Sequence, residues 1–578
     1  MRPPRPLRRA RDVTGVNAAD RGRAELAGWL AGRPSNYLDG ASHLTALFEV
    51  GAGTARALAF APRLASFGHA VATVIEPAVA TLERHRGLPA HVPYDAIGRR
   101  VEAIEFHPAY AEVGRTVWGS VLLAVNRGGA GAYEQAALFY LLSHAGEGGH
   151  ACPAVCTAGL ARAVERRGGR GLVDAYLDGL LASDYDACLR GSQFLTEVQG
   201  GSDVGANAAV ASPDSSEDGG WRLAGEKWFC SVADADLFAI TARPIGASAG
   251  TRGLGCFLVP RTLDGARPNG FRIRRLKDKL GTRCLASAEI DFEAALGWPI
   301  GELDEGFHVA VEDLLNTSRW LNAVGSTGLM RRAYVDAASF ARHRHAFGRA
   351  VGGFPIVREQ LASMKVDEHA ALASTFALTG LRERMDAGIA TPEELVAHRI
   401  LVNANKYVTS IDATDVVHRG IEVLGGNGTI EDFSALPRLY RDAIVYESWE
   451  GTHNVLCAQV LRDLGRSDTL DAFTAWLGSE LDSHHAPEVV AGALEVAVAQ
   501  LRAAVAAPEP NPAGFRVLLG TVVRLVQAGS LARLAAHRAS DESNAVLDVF
   551  ARRHLDQSGD LTVASTAVDA IVAADLDG

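Results

Sequence analysis

The chain has 578 residues, of which 48% are hydrophobic and 22% are charged, with a formal net charge of −11 at pH 7. This length predicts about four domains of ordinary size, and the composition supplies enough apolar residues for several globular cores. The negative charge argues against a protein that binds nucleic acid over its whole surface, while a local basic patch stays open.

The N-terminal sequence M-R-P-P-R-P-L-R-R-A-R is basic and rich in proline. No apolar segment follows it, so we expect no secretory signal. We interpret residues 1–35 as a disordered arm and linker, with a contact to nucleic acid or lipid as the alternative. Charged residues interrupt the longest apolar stretches well before 18 residues, and we therefore expect no membrane span.

The seven cysteines are scattered, and their one close pair is Cys152 and Cys156 in a C-x-x-x-C arrangement. An odd number without a second pair favours reduced, mostly buried thiols in a cytoplasmic protein. The sequence contains neither an H-E-x-x-H motif nor a compact Cys/His cluster, so we predict no metal site.

Helical signals dominate residues 36–190, where apolar residues recur three and four positions apart, as in L-T-A-L-F-E-V-G-A-G-T-A-R-A-L. The pattern changes at residues 191–300. Short alternating runs such as W-R-L-A-G-E-K-W-F and S-A-E-I-D-F predict a β-domain, with Ala224-Gly225 as a hairpin turn.

The helical period returns in residues 301–465, where long runs with short connections predict a four-helix bundle. Residues 466–578 are again helical in pattern and predict an extra C-terminal helical domain. The stretch P-E-P-N-P-A-G (508–514) divides this domain into two halves.

Common nucleotide and hydrolase motifs do not explain the sequence. It has no G-x-x-x-x-G-K-[ST] motif and no G-x-S-x-G motif. The stretch G-G-S-D-V-G (200–205) has neither the spacing nor the setting of a dinucleotide-binding fingerprint.

Five other segments carry residues suited to ligand binding or acid–base chemistry. Glycines permit close backbone approach, hydroxyls donate hydrogen bonds and an arginine can pair with a phosphate. Each segment alone has a plain alternative: a turn, a core strand, a surface arginine, a helix C-cap or solvated charges. The segments are F-L-T-E-V-Q-G-G-S-D (194–203), G-E-K-W-F-C-S (225–231), R-H-A-F-G (344–348), E-V-L-G-G-N-G (422–428) and Y-E-S-W-E-G-T-H-N (446–454).

Together, these segments resemble the acyl-CoA dehydrogenase family in order and spacing from about residue 190 to residue 465. The matching motifs are T-E-x-x-x-G-S-D (196–203), K-L-G-x-R (279–283), R-x-x-F-G (344–348), G-G-N-G (425–428) and E-G-T (450–452). The stretches L-T-E-V-Q-G-G-S-D, K-W-F-C-S and W-E-G, together with Pro355 and the terminal helical regions, are similar to the AidB-type branch of alkylation-response flavoproteins.

The resemblance implies a mainly α-helical protein with a central β-barrel-like domain, a four-helix bundle and FAD held between them. It also implies a homo-oligomer, a dimer or a homotetramer, in which FAD is contacted across the subunit interface. The expected substrate is an acyl-CoA thioester, and the expected electron acceptor is an electron-transfer flavoprotein.

The resemblance also assigns roles to individual residues. Leu195 and Thr196 are expected to face the flavin ring with Phe194 nearby, and Arg344 and Phe347 are expected to reach FAD in a neighbouring subunit. The other expected cofactor contacts are Gly201, Ser202, Phe229, Cys230, Ser231, Gly425, Gly426, Thr452 and Asn454. The expected substrate contacts are Ser202, Ser318 and Arg319.

Glu450 is the candidate catalytic base, because it precedes Gly-Thr at the position that the family commonly uses. Isovaleryl-CoA dehydrogenase places its base on an earlier helix, but the corresponding stretch L-N-T-S-R-W (315–320) has no glutamate. A desolvated carboxylate with a raised pKa suits removal of a proton α to a thioester. Glu447, three residues earlier, is expected to be structural.

Two functions from different classes remain open. The first is an FAD-dependent acyl-CoA dehydrogenase. The second is an AidB-like protein that binds DNA and has weak dehydrogenase activity, and an oxidase that uses oxygen is a lesser alternative. Residues 471–578 contain seven arginines and no lysine against fourteen acidic residues. This acidic balance argues against DNA binding through the extra domain, because phosphates attract concentrated positive charge.

Overall fold

The computed structural model describes residues 18–84, 87–129, 131–146, 148–217, 219–263, 267–482, 486–507, 512–556 and 564–577. Along the chain, an N-terminal helical region is followed by a β-domain, a bundle of long helices and a further helical region.

The N-terminal region is mainly helical and includes one hairpin. Its helices are α1 (Ala18–Ala31), α2 (Ser42–Ala52), α3 (Thr54–Ala70), α4 (Glu76–Arg84), α5 (Pro108–Gly119), α6 (Ala132–Ser143), α7 (Gly148–Arg167), α8 (Gly169–Leu172) and α9 (Asp178–Leu180). Strands β1 (Ala90–Tyr94) and β2 (Arg100–Glu105) pair antiparallel. The sequence did not predict this hairpin.

Helix α1 lies within the segment that was expected to be arm and linker. Its Trp29 is 1% exposed and stacks on Phe433 of the bundle, with ring centroids 4.9 Å apart. This aromatic contact attaches α1 to the bundle, so residues 18–31 are structured rather than a linker. Residues 1–17 of the predicted arm lie outside the described residues.

The β-domain is a seven-stranded sheet with a closed path. Strand order is β10-β11-β5-β4-β6-β3, and β7 pairs with both β11 and β6, which gives the domain its barrel-like form. Its strands are β3 (Gly191–Phe194), β4 (Val210–Pro213), β5 (Trp221–Ser231), β6 (Leu237–Pro244), β7 (Gly255–Pro260), β10 (Phe271–Leu276) and β11 (Ser287–Pro299). Strands β8 (Thr262–Leu263) and β9 (Arg267–Pro268) form a separate pair.

The prediction of a hairpin turn at Ala224-Gly225 is wrong, because both residues lie inside β5. Gly225 has φ +139°, and a Cβ atom there would lie 2.8 Å from Ala209 Cα. Gly225 therefore marks a close approach of the chain to β5, which is a second common reason for glycine in a strand.

The bundle consists of three long helices and a fourth that is interrupted. These helices are α11 (Asn316–His343), α12 (Pro355–Asp386), α13 (Pro392–Leu424), and the pair α14 (Leu436–Ser448) and α15 (His453–Leu464), with short α10 (Gly306–His308) before them. A small hairpin of β12 (His345–Ala346) and β13 (Arg349–Ala350) joins α11 to α12. Thr391 and Glu394 form a capping box that starts α13.

The extra C-terminal region packs on the bundle through helices and buried ion pairs. Its helices are α16 (Thr469–Asp482), α17 (Glu488–Ala506), α18 (Pro512–Arg538), α19 (Asp541–His554) and α20 (Ser565–Leu576). Arg524 donates two hydrogen bonds of 2.7 Å to Asp412, and Lys365 Nζ lies 2.8 Å from Asp575. The predicted break at 508–514 overlaps the first three residues of α18, and its residues 508–511 lie outside the described residues.

The expectation of no membrane span stays a prediction. By length and composition alone, three helical stretches that contain few charged residues are apolar enough to cross a membrane, namely Thr54–Arg84, Glu488–Ala506 and Gly514–Arg538. The third is largely buried inside the protein, with 72% of its apolar window covered.

A polar cluster that sequence spacing did not indicate is buried between the N-terminal region and α12. His43 Nε2 lies 3.0 Å from Glu368 Oε1, to which Tyr140 donates a hydrogen bond of 2.9 Å. Ligand atoms of His43, Glu368 and His369 lie within 4.8 Å of one another, a spacing that could hold a metal ion. The positive charge of Arg331 acts on His43 and disfavours a second cation at this position. We therefore interpret the group as a hydrogen-bonded cluster.

Buried histidines predict that stability falls in mild acid. Burial lowers the pKa values of His144 and His398 to about 3, while the unfolded value is about 6.5. The unfolded chain therefore binds more protons below pH 6.5, and each such histidine removes up to about 1.4 kcal/mol of stability per pH unit. Urea unfolding of the FAD-loaded protein should show a lower midpoint at pH 5 than at pH 7.

Carboxylates such as Glu76, whose pKa is lowered to about 2, act only below about pH 4.5. The carboxyl of Glu450, whose pKa is raised to about 7, stabilises the fold as the pH falls and so opposes the histidines. The histidine effect is therefore read from the difference between the unmodified protein and a histidine variant. Substitution of exposed His308 by Gln should leave the pH dependence unchanged, and His398→Gln should reduce it. A midpoint that is constant from pH 7 to pH 5 would contradict the prediction.

Gly225→Ala should destabilise the β-domain by about 1–3 kcal/mol, because the new Cβ meets backbone that cannot move freely. The matched control is Gly478→Ala in α16, where no atom lies within 4 Å of the new Cβ; it should be neutral or stabilising by up to about 1 kcal/mol. Urea unfolding measures both, and equal stability of Gly225→Ala and the unmodified protein would refute the close approach.

Candidate active site

Glu450 lies in the interruption between α14 and α15. Helix α14 ends at Ser448 and α15 begins at His453, and Glu450 has φ +58°, a left-handed conformation that non-glycine residues rarely adopt. Such strain costs about 1–3 kcal/mol and persists only where the surroundings fix it. The break turns the Glu450 side chain out of helical register.

The Glu450 carboxylate meets the β-domain and α11 at one point. Gln193 Nε2, at the end of β3, donates to Glu450 Oε1 at 3.3 Å and to Ser318 Oγ at 2.9 Å. Ser318 in turn donates to Leu314 O within its own helix. Gln193 thus connects the predicted base to the predicted substrate residue Ser318.

The electrostatic surroundings give Glu450 a raised pKa. Burial raises the pKa of this carboxyl to about 7, and the charges of Arg319 and Lys406 with the Gln193 hydrogen bond oppose the rise. The group is therefore close to half ionised near neutral pH. Such a carboxylate can both accept and release a proton at physiological pH.

Two buried cations hold the backbone around Glu450. Arg319 Nε donates to Glu450 O at 2.9 Å, and its Nη1 donates to Asn403 Oδ1 at 2.8 Å. Lys406 Nζ donates to Glu447 O at 2.8 Å and to Gly451 O at 3.1 Å. The turn is therefore fixed from both α11 and α13.

Glu447 has structural partners on both oxygens. It accepts a hydrogen bond from Thr414 Oγ1 and lies 3.0 Å from His453 Nε2. Hydrogen bonds to His453 and Thr414 hold the pKa of Glu447 below its usual value against the effect of burial. These contacts agree with the structural role expected for Glu447.

Strand alternation divides the cofactor residues predicted on the β-domain into buried and exposed ones. Phe194 is fully buried beside Phe238, with ring centroids 4.9 Å apart, and Cys230 is fully buried in the same core. Successive side chains of a strand point to opposite faces, so the side chains of these two residues belong to the core. Phe229, next to Cys230, is 52% exposed.

The remaining predicted residues of the β-domain surround the loop after β3. Leu195 is buried and Thr196 is partly exposed, and Thr196 O accepts a hydrogen bond from Trp228 N at 2.9 Å. Gly201 fits against Thr196, since a Cβ there would lie 2.9 Å from Thr196 Oγ1. Ser202 is exposed, and Ser231 Oγ lies 3.1 Å from Ser287 Oγ.

Of the predicted residues at the ends of the bundle, Phe347, Gly425 and Gly426 are open to solvent and Arg344 is partly buried. Phe347 is 97% exposed at the tip of the β12–β13 hairpin, while Arg344 Nη1 donates to Glu25 of α1 at 3.0 Å. Gly425 and Gly426 follow α13, and no atom lies within 4 Å of a Cβ built on either.

The two predicted residues after Glu450 lie at the start of α15. Thr452 is exposed at the N-cap of α15 and makes no side-chain cap bond. Asn454 is also exposed, and its Oδ1 accepts a hydrogen bond of 3.3 Å from Arg516 of α18. The extra C-terminal region therefore contacts the helix that follows the candidate base.

Sequence reasoning missed two residues that touch this turn. Gln193 lies two residues before Leu195, so strand alternation would have placed both on one face. Lys406 belongs to a polar stripe on an otherwise apolar helix, where Asn403, Lys406 and Thr414 all contact the Glu450 side of the bundle. The spacing of these polar residues along the helix was the sequence signal that could have identified Lys406.

Comparison with known proteins bears on this site. Residues 304–465 match the family model of the acyl-CoA dehydrogenase C-terminal domain, residues 192–295 that of its middle domain, and residues 41–187 that of the adaptive response protein AidB N-terminal domain. AidB of Escherichia coli is 34% identical over 396 residues, which cover 65% of this chain and 69% of AidB.

The chain belongs to the acyl-CoA dehydrogenase family. The family and the AidB-type branch indicated by the motifs are thereby confirmed, as are the predicted fold and the class of FAD-dependent oxidoreductase acting on a CH–CH bond. Among solved structures, Caenorhabditis elegans ACDH-11 in complex with C11-CoA has a TM-score of 0.82 at 26% identity, covering 91% of each chain.

A Bacillus anthracis acyl-CoA dehydrogenase complexed with FAD shares the fold, with a TM-score of 0.72 at 19% identity over 89% of this chain and 94% of that one. Two observations indicate that residues of this chain are suited to hold FAD. Half-exposed Phe229 directly follows Trp228, whose backbone N–H donates to Thr196 O, so an aromatic side chain lies near the partly exposed Thr196. The open turn at Gly425 and Gly426 leaves room for a phosphate-bearing tail.

Proposed function

We propose that this acyl-CoA dehydrogenase family member oxidises the Cα–Cβ bond of an acyl-CoA thioester, with Glu450 as the base that takes the α-proton. The observation that carries the proposal is the position of Glu450. It is a carboxylate with a pKa raised to about 7, in a strained turn that faces the β-domain.

A thioester α-proton is weakly acidic, so the base must be strong enough at neutral pH and the developing enolate must be stabilised. Burial makes the Glu450 carboxylate more basic than an exposed one. Gln193 orients it through a hydrogen bond, and Ser318 in turn accepts a hydrogen bond from Gln193. Bound FAD supplies the acceptor for the β-hydride.

We assign the other chain residues by their placement. Thr196, Phe229 and Ser231 lie on the partly exposed face of the β-domain and would hold the flavin side of FAD. Gly425 and Gly426 would admit its phosphate-bearing tail.

Leu195, Gly201 and Ser202 shape the loop beside Thr196, and Thr452 and Asn454 close the site after Glu450. Ser318, through Gln193, and Arg319, through the Glu450 carbonyl, would support the substrate side.

The proposed substrate is an acyl-CoA ester, which the C11-CoA bound to the ACDH-11 relative supports as a class. An electron-transfer flavoprotein is the proposed acceptor of electrons. All seven cysteines are free, which suits a reducing compartment such as the cytoplasm.

A homo-oligomer, a dimer or a tetramer, is part of this proposal. The family motif R-x-x-F-G implies that Phe347 contacts FAD in a neighbouring subunit, and its 97% exposure at the hairpin tip leaves it accessible for that contact.

Binding of DNA through the extra C-terminal region is less well supported. Each of its seven arginines contacts a partner: Asp471 for Arg502, Asn454 for Arg516, Asp412 for Arg524, Glu480 for Arg533, Glu542 for Arg538, Asp548 for Arg552 and Asp367 for Arg553. Six of these partners are acidic, so little positive charge is left to attract phosphates.

Anaerobic mixing of the FAD-loaded protein with acyl-CoA esters of graded chain length should bleach the visible flavin absorbance. Glu450→Gln should slow this bleaching by about 10²–10⁴-fold, because an amide cannot take the proton. The matched control Glu447→Gln removes an equal charge three residues away and should keep the rate within about tenfold.

Two results would contradict the proposal. One is the absence of bleaching by every ester tested in the unmodified protein. The other is an unchanged bleaching rate in Glu450→Gln.

A further inference from the structure

Lys406 is a fully buried lysine next to the candidate base. It lies in α13 and is 0% exposed, yet lysine is rarely buried without a partner that compensates its charge. Among the described residues, no carboxylate oxygen lies within 4.0 Å of its Nζ atom. Its hydrogen bonds go to backbone carbonyls instead.

These two carbonyls lie on either side of Glu450. Glu447 O belongs to the last turn of α14, and Gly451 O directly follows the base. One ammonium group therefore spans the break in the fourth helix. The same contact places a positive charge beside the segment that carries the base carboxylate.

The charge is suited to act on Glu450 as well as on the backbone. Burial lowers the pKa of Lys406 to about 7, and the nearby carboxylate of Glu450 opposes this fall. Conversely, Lys406 lowers the pKa of Glu450 against the effect of burial. The protonation states of the two groups are thus linked.

Other groups face this pair from the surrounding helices. Arg319 contributes a second positive charge from α11 and donates to Glu450 O. Within the described part of the chain, Glu447 acts on Lys406, Asp463 on Arg319 and Glu450 on Cys156. His453 bonds Glu447. Because Arg319 also bonds Asn403, one turn before Lys406, α13 supports both cations.

We propose that Lys406 is a positioning residue for the reaction, which fixes the Glu450 turn through two backbone carbonyls and, by its charge, favours the ionised form of the base. This inference rests on the proposed role of Glu450. It differs from a purely structural role, because a neutral hydrogen-bond donor could hold the carbonyls without acting on the carboxylate.

Two variants remove the charge, and only one of them also removes the hydrogen bonds to the carbonyls. Lys406→Gln retains a donor to the carbonyls but removes the charge, and Lys406→Met removes both. The rate of anaerobic flavin reduction by an acyl-CoA ester is measured from pH 5.5 to pH 9. In both variants the acid limb should move to higher pH by about one unit, so the rate at pH 7 falls several-fold and recovers in part as the pH is raised.

The matched control is Lys365→Met. Lys365 is also a buried lysine that donates to a backbone carbonyl, Ile571 O at 2.8 Å, but it pairs with acidic residues of the extra C-terminal region. Its loss should reduce stability and leave the acid limb unchanged. FAD absorbance and helical circular dichroism verify that each variant is folded.

An acid limb in Lys406→Gln and Lys406→Met that coincides with that of the unmodified protein would overturn the inference while the role of Glu450 stands. Failure of both variants to fold, with Lys365→Met folded, would assign Lys406 a purely structural role and overturn it as well. No flavin reduction in the unmodified protein would overturn the proposed function and this inference together.

Discussion

The site depends on one break in the backbone, where the fourth helix of the bundle stops at Ser448 and resumes at His453. A continuous helix would carry Glu450 along its surface in regular register. The break instead holds Glu450 in a left-handed conformation that is strained for a residue with a Cβ atom. Arg319 and Lys406 stabilise that conformation by donating to the carbonyls around it.

The same break connects the bundle to the β-domain. The closed sheet brings the end of β3 to the turn, where Gln193 contacts a carboxylate 257 positions away in sequence. Burial at this junction raises the pKa of Glu450 to about 7, and two cations and one amide limit the rise. The hydrogen bond between Gln193 and Glu450 therefore joins the two domains at the proposed catalytic base.

The sequence predicted the order of the domains, the family and the candidate base, because these depend on local periodicity and short motifs. It could separate Glu450 from Glu447 through the adjacent Gly-Thr, and the contacts of Glu447 agree with a structural role. It failed where the answer depends on partners far along the chain. Helix α1 is ordered through Phe433, about 400 positions away.

Motif transfer also overlooked strand alternation, since Phe194 and Cys230 belong to the core while Gln193 and Phe229 face outward. The most direct test of the account is the pH dependence of flavin reduction in stopped-flow mixing with an acyl-CoA ester. The account predicts a rate that rises with pH through an acid limb near 7, as the Glu450 carboxyl loses its proton. An acid limb near 4.5, the value of an ordinary glutamate, or a rate independent of pH would contradict it.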